Sequence, residues 1–147
     1  MLDVRLLTEP FDPNAEIDRF AWQIDNTGGV ATFVGKVRSG GGVEALELSH
    51  YEPLTLPGMR GLVEATAARF QIQGLLMLHR VGKLYPGETI VCVSAAAEHR
   101  RAAIEAVDFA MDHLKSDSWF WKRELRRGVW NWIEPRDQDH ADLRRWD

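Results

Sequence analysis

The chain has 147 residues, 45% of them hydrophobic, with six tryptophans and a formal charge of −4. That is enough for one domain over 1–147 with a real core, and the acidic balance argues against a general nucleic-acid binder. A single cysteine excludes an internal disulfide framework and a Cys-rich zinc site, which suits a reducing, cytoplasmic setting. The opening run MLDVRLLTEPFDP has charges at Asp3, Arg5 and Glu9 and lacks the apolar core of a signal peptide. No apolar run approaches the ~20 residues needed to cross a bilayer, so a soluble protein without membrane contact is expected.

Val4 to Thr8 is a short candidate strand. Asp12-Pro13 is a helix start, with the carboxylate at the N-cap and proline in the first turn. That helix is expected to run to about Ile24 and to bury Ile17, Phe20 and Ala21. The run Asp25 to Gly29 breaks it. From Gly29 to Arg38, alternation of Val30, Thr32, Val34 and Lys36 against Ala31, Phe33, Gly35 and Val37 predicts a strand. Ser39 to Gly42 is a loop, read as a hairpin turn or as a glycine-rich cover over an anion beside Lys36 and Arg38. Val43 to Tyr51 resumes the strand pattern.

Pro53 and Pro57 punctuate the next segment, and a helix is expected from about Gly58 to Phe70. Leu75 to Val81 and Thr89 to Ala95 are predicted strands around a turn at Tyr85 to Glu88. Cys92, between Val91 and Val93, reads as a packing residue rather than a nucleophile. His79 and Arg80 mark a strand end and signal little by themselves.

The stretch from Glu98 to Glu124 organises the rest. Ala103, Ala106, Val107, Ala110, Met111 and Leu114 recur at three- and four-residue spacing and make one apolar stripe on a helix. His99 and Arg100 open that helix and Lys115 closes it. On a helix, His99 and Lys115 stand roughly 24 Å apart, farther than a small metabolite spans. If both ends serve one ligand, a second copy of the chain must supply one of them. The alternative is a pair of solvated helix ends, with Lys115 also suited to the negative end of the helix dipole. Phe120 to Leu125 and Val129 to Ile133 form a predicted hairpin. Its tryptophans, spaced at two, are read as core or interface. A short helix near Asp139 to Arg145 ends the chain. Strands that follow one another without a helix between them favour antiparallel pairing, and the element order argues for an α+β domain.

No phosphate-binding glycine loop, nucleophile elbow or His-Glu-x-x-His is present. The histidines are too scattered to name a metal site, and no cofactor is expected. What remains is a set of cations: Lys36, Arg38, His99, Arg100, Lys115, Lys122 and Arg123. Clustered in space they would bind a phosphate-bearing substrate, and crowded lysines would depress one another's pKa. A lysine so shifted can act in acid–base or nucleophilic chemistry.

GKVR at 35–38, HRVGKLYPGE at 79–88, EHRRAAIEAVDFAMDHLK at 98–115 and FWKRE at 120–124 resemble the large, catalytic subunit of molybdopterin synthase. The four blocks stand in the right order, and the resemblance extends over most of the chain, from the Phe33 strand to Trp146. The resemblance implies an α/β hammerhead-type domain with an additional antiparallel sheet, and a homodimer within a heterotetramer. It implies a small ubiquitin-like sulfur-carrier subunit whose C-terminal Gly-Gly ends in a thiocarboxylate, and cyclic pyranopterin monophosphate as the sulfur acceptor. Lys115 and Lys122 match the family's two key lysines. Lys36, Val37, Arg38, His99, Arg100, Lys122, Arg123 and Glu124 match its substrate-binding positions. Arg136 falls where the family has an arginine reaching the neighbouring site. The chain departs from the family in the proline-rich run EPLTLPGMR at 52–60, in the short Ser39–Gly42 loop, and in having Arg123 where lysine is common. Two other readings compete: a non-enzymatic dimeric module binding a phosphorylated metabolite, and a nucleic-acid-binding domain, whose affinity would fall steeply with salt.

Overall fold

In the computed structural model, which describes residues 1–116 and 119–147, eight strands divide into two four-stranded sheets. Asp117 and Ser118, within the stretch Glu98–Glu124, lie outside the described residues. The chain runs β1 (Leu2–Leu7), α1 (Pro13–Trp22), β2 (Gly29–Lys36), β3 (Val43–His50), α2 (Glu52–Arg69), β4 (Gly74–Arg80) and β5 (Gly82–Leu84). It continues β6 (Thr89–Ala97), α3 (Arg100–Ser116), β7 (Phe120–Arg126), β8 (Val129–Ile133) and α4 (Asp137–Leu143), and closes with a 3-10 turn, Arg144–Trp146. The first sheet is ordered β1-β4-β6-β2 and the second β5-β3-β7-β8. This is the α+β architecture that the element order implies.

β4 and β6 are buried along nearly their whole length because both faces of the first sheet are covered. On one face Leu75, Met77, Val91, Val93 and Ala95 meet Met59, Leu62 and Val63 of α2 and the α3 stripe. On the other, Leu76, Leu78, Cys92 and Ala96 meet Phe20 of α1. Every stripe residue read from the spacing in α3 is buried, and Phe109 joins them.

Two expectations need correction. Ser39 to Gly42 is not a hairpin turn: β2 pairs with β6 in one sheet, while β3 pairs with β5 and β7 in the other. The loop carries the chain between sheets, with Gly41 and Gly42 at positive φ, and Arg126 donates to the Gly41 carbonyl at 2.8 Å. The second helix begins at Glu52, six residues before the expected Gly58. Pro53 falls in the first turn, where its missing N–H costs nothing. Pro57 does lie inside the helix, but two tertiary anchors offset it. Buried Thr55 donates to the Trp119 carbonyl at 2.7 Å, and the Trp119 ring packs so closely on Gly58 that a Cβ there would stand 2.4 Å from it.

The hairpin tryptophans, read as core or interface, are not all core. Trp121 and Trp132 are 47% and 65% exposed, so neither belongs to this chain's core. Two further features go beyond the expected pattern. Gly82–Leu84 pairs with β3, so the chain leaves the first sheet after Arg80, adds a strand to the second, and returns at Thr89. β1 and β4 pair in parallel, which α1, β2, β3 and α2 between them make possible.

Candidate active site

The two sheets meet where His79, at the end of β4, stacks on Phe120, at the start of β7. The rings lie 3.9 Å apart and 15° from parallel. His79 is 3% exposed, and its Nδ1 lies 2.8 Å from the Arg80 carbonyl, which fixes Nδ1 as the donor of a neutral ring. Burial first, then the nearby positive charge of Lys115, pushes its pKa down to about 3.

Lys115 sits in the last turn of α3 beside this joint. Its side chain keeps access to solvent, yet the surrounding protein strips much of the water from its ammonium. That desolvation, then the charges of Lys122 and Arg136, lowers its pKa to about 8 against an opposing pull from Asp139. Lys122 is exposed on β7, in register with Leu48 of β3 and Ile133 of β8.

Arg136 and Asp139 arrive on α4. The Arg136 amide and guanidinium both donate to the Asp139 carboxylate at 3.0 Å, which caps the helix. Burial works to raise the Asp139 pKa, but the Arg136 bonds and the charges of Arg136 and Lys115 hold it below the carboxylate range. Ser116 donates to the Asp139 carbonyl at 3.1 Å, tying α4 to the end of α3. Farther along, Trp146 donates to Asp112 at 2.7 Å and packs edge-on against Phe70 and Phe109. The C-terminal segment is thereby pinned across α3, which carries Arg136 to Lys115.

Lys36, Val37 and Arg38 border the same joint. Val37 is buried with Leu46, Leu48 and Leu84, against Phe120. Its amide donates to the Glu88 carbonyl at 3.0 Å and its carbonyl accepts from Gly87 at 2.9 Å. With Val37 anchored, Lys36 and Arg38 on either side of it stay exposed.

Three other predicted residues, His99, Arg100 and Arg123, lie elsewhere. His99 and Arg100 are exposed at the opposite end of α3 from Lys115. There the Glu98 carbonyl passes so near Gly28 that a Cβ would stand 1.9 Å from it, while the Gly28 amide donates to Ala97 at 3.0 Å. Gly28→Ala is therefore expected to displace the chain entering α3 and to destabilise the fold by about 1–3 kcal/mol, measured by urea denaturation. Arg123 alternates with Lys122 and so projects from the other face of the second sheet. It donates to Glu47 at 2.8 Å and lies over the Trp130 ring at 4.4 Å. Glu124 is paired with Arg126 at 3.3 Å.

One chain thus gathers Lys122, Arg136 and Asp139 around Lys115, itself beside His79, with Lys36 and Arg38 at the margin, and leaves His99 and Arg100 apart. A crowded, partly dehydrated lysine beside other cations can stabilise a developing oxyanion or exchange a proton near neutral pH. As a strand end His79 signals little by itself; its sequence signals are its place at the head of the block HRVGKLYPGE and its position as a polar residue near the end of an otherwise apolar strand.

Comparison with known proteins identifies the family. The family model described as MoaE protein matches residues 6–117. The molybdopterin synthase catalytic subunit of Caulobacter vibrioides is 42% identical over 145 residues, covering 98% of this chain and 97% of that protein. Its counterpart from Yersinia pestis is 41% identical over 134 residues, covering 88% and 89%. The solved molybdopterin biosynthesis MoaE protein of Burkholderia ambifaria superposes with a TM-score of 0.85 at 36% identity, covering 99% of this chain and 98% of that one. With a matching family model over most of its length and relatives this similar end to end, the chain belongs to the MoaE family of molybdopterin synthase catalytic subunits.

Proposed function

We propose that this protein moves sulfur from the thiocarboxylated Gly-Gly end of a small ubiquitin-like carrier onto cyclic pyranopterin monophosphate, forming the dithiolene of molybdopterin. The observation that carries the reading is the desolvation of the Lys115 ammonium, then its crowding by Lys122 and Arg136, which together bring an amine pKa down to about 8 beside a neutral, buried His79. In this reading Lys115 and Lys122 flank the thiocarboxylate. Their charge stabilises the oxyanion formed when water attacks the acyl carbon once its sulfur is bonded to the pterin; the acyl C–S bond then breaks, the sulfur stays on the pterin, the carrier leaves as a carboxylate, and Lys115 passes the proton. Lys36, Arg38, His99 and Arg100 hold the phosphate and the pterin.

The distance along α3 supports a site completed by a second copy. His99 and Arg100 stand about two dozen ångströms from Lys115 on a helix of this length, so they serve the pocket of the other protomer. Arg136 lies close enough to Lys115 to act within its own chain. The relatives' designation as catalytic subunits fits a second, sulfur-donating subunit, and a homodimer carrying one carrier on each copy makes the heterotetramer. The chain's own Cys92 is an unsuitable donor: it is fully buried, and burial pushes its thiol up to about 11. The proposed setting is the cytoplasm, where the reducing environment keeps the carrier's sulfur available.

The test is reconstitution. Protein mixed with thiocarboxylated carrier and cyclic pyranopterin monophosphate should release molybdopterin and return the carrier with a plain carboxylate. Binding of the pterin without sulfur transfer, at any carrier concentration, would leave only a module for a phosphorylated metabolite.

A further inference from the structure

We infer that Arg80 is a positioning residue for the segment Lys36–Arg38 and acts on it through Glu88; the link to substrate rests on the reading above. Arg80 closes β4 and is 3% exposed. Its Nε and Nη1 have no hydrogen-bond partner among the described residues, and its Nη2 reaches only the Lys83 carbonyl, at 3.5 Å. The carboxylate paired with it is Glu88, at 3.9 Å. A guanidinium buried with so few partners costs stability, and an apolar side chain of similar length would fill the place at lower cost. Fold stability therefore does not account for an arginine here.

What Glu88 holds does account for it. Its carboxylate accepts the Tyr85 amide at 2.6 Å and its own amide donates to the Tyr85 carbonyl at 3.0 Å. Together these close the turn Tyr85–Glu88, with Gly87 at φ +91°. That turn grips Val37 by both backbone groups, through Gly87 and Glu88. The grip matters because β2 loses register with β6 between Gly35 and Lys36. Beyond that bulge the strand ladder no longer aims the chain, and the turn takes over. With Val37 buried, the exposed Lys36 and Arg38 are directed by the backbone that the turn holds. Arg80 sets the turn by attracting the one carboxylate that closes it.

The experiment compares Arg80→Met, Glu88→Gln, the double variant and Arg38→Ala in reconstituted sulfur transfer, with amide hydrogen exchange at Val37 as a readout independent of activity. Arg80→Met is expected to melt at or above the wild-type temperature, since it removes a buried charge. Its KM for cyclic pyranopterin monophosphate should rise roughly tenfold with kcat nearly unchanged, the pattern of lost substrate positioning. Val37 exchange should quicken. Glu88→Gln, which keeps an acceptor for Tyr85, should raise KM alike, and the double variant should be no worse than either single one. A folded Arg80→Met with wild-type KM and wild-type Val37 exchange overturns the inference. If that variant does not fold, unchanged KM and exchange in Glu88→Gln overturn it instead. Arg38→Ala separates the two layers: wild-type KM there refutes the substrate role of Arg38, while Val37 exchange still decides the role of Arg80.

Discussion

Lys115→Ala is expected to lower sulfur transfer by about 10²–10⁴-fold, the range for loss of a group that stabilises charge or moves a proton in the transition state. The fold should survive. Lys115 is exposed at a helix end, and its ammonium is opposed by Lys122 and Arg136. Removing it relieves a repulsion, so the melting temperature should hold or rise. Single-turnover assay of the variant, with carrier and pterin both saturating, measures the loss. A rate near wild type would remove Lys115 from the chemistry. The pH profile supplies an independent check. With a pKa of about 8, Lys115 is an ammonium below that pH and an amine above it. If the ammonium supports the oxyanion, the rate falls as pH rises through about 8. Lys122→Ala removes a neighbouring positive charge, so Lys115 should then hold its proton to higher pH. The pH dependence of Lys115 acetylation by acetic anhydride would register that shift even if the variant is inactive.

The second large effect is on stability in acid. His79 has a folded pKa of about 3 against 6.5 when unfolded. Between those values the unfolded chain binds a proton that the folded chain refuses. The neutral ring's contribution is therefore complete above about pH 6.5 and is lost progressively as pH falls toward 3, at about 1.4 kcal/mol per pH unit. His79→Phe keeps a ring against Phe120 and abolishes the titration. At pH 7 the variant should be about 1 kcal/mol weaker, because the Arg80 carbonyl loses its donor. Between pH 7 and pH 5, however, wild type should lose about 2 kcal/mol more than the variant. Urea denaturation at the two pH values tests this directly. Parallel losses in both proteins would show that His79 is not held neutral.

Both effects arise at a joint only partly legible in the linear chain. The α3 stripe, the hairpin of β7 and β8 and the burial of Cys92 follow from spacing and composition, since a helix or strand face repeats with a fixed period. The family resemblance brought Lys115, Lys122 and Arg136 forward, and the structure gathers those three. What periodicity cannot express is which sheet a strand joins. β2 and β3 are consecutive and look like a hairpin, yet they belong to different sheets, because β2 finds its partner some sixty residues away in β6. The early start of α2 depends on Thr55 reaching the Trp119 carbonyl, a contact of sequence separation 64. Pro53 and Pro57 argued locally for a later start, and a distant contact prevailed. His79 and Arg80 stand in the block 79–88 that carries the family resemblance, yet their roles are not legible there, for a related reason. Their importance comes from facing opposite sides of one sheet, where one meets Phe120 and the other Glu88.

Cys92 lies at the centre of the first sheet, fully enclosed, with its thiol held far from ionising. A thiol in that condition neither reacts with alkylating poisons nor climbs the oxidation ladder. Thiol-directed oxidants and alkylators that disable catalysts with an accessible cysteine would therefore find no target in Cys92. In the proposed transfer, thiol damage would then fall on whatever delivers the sulfur and not on the cysteine of this chain.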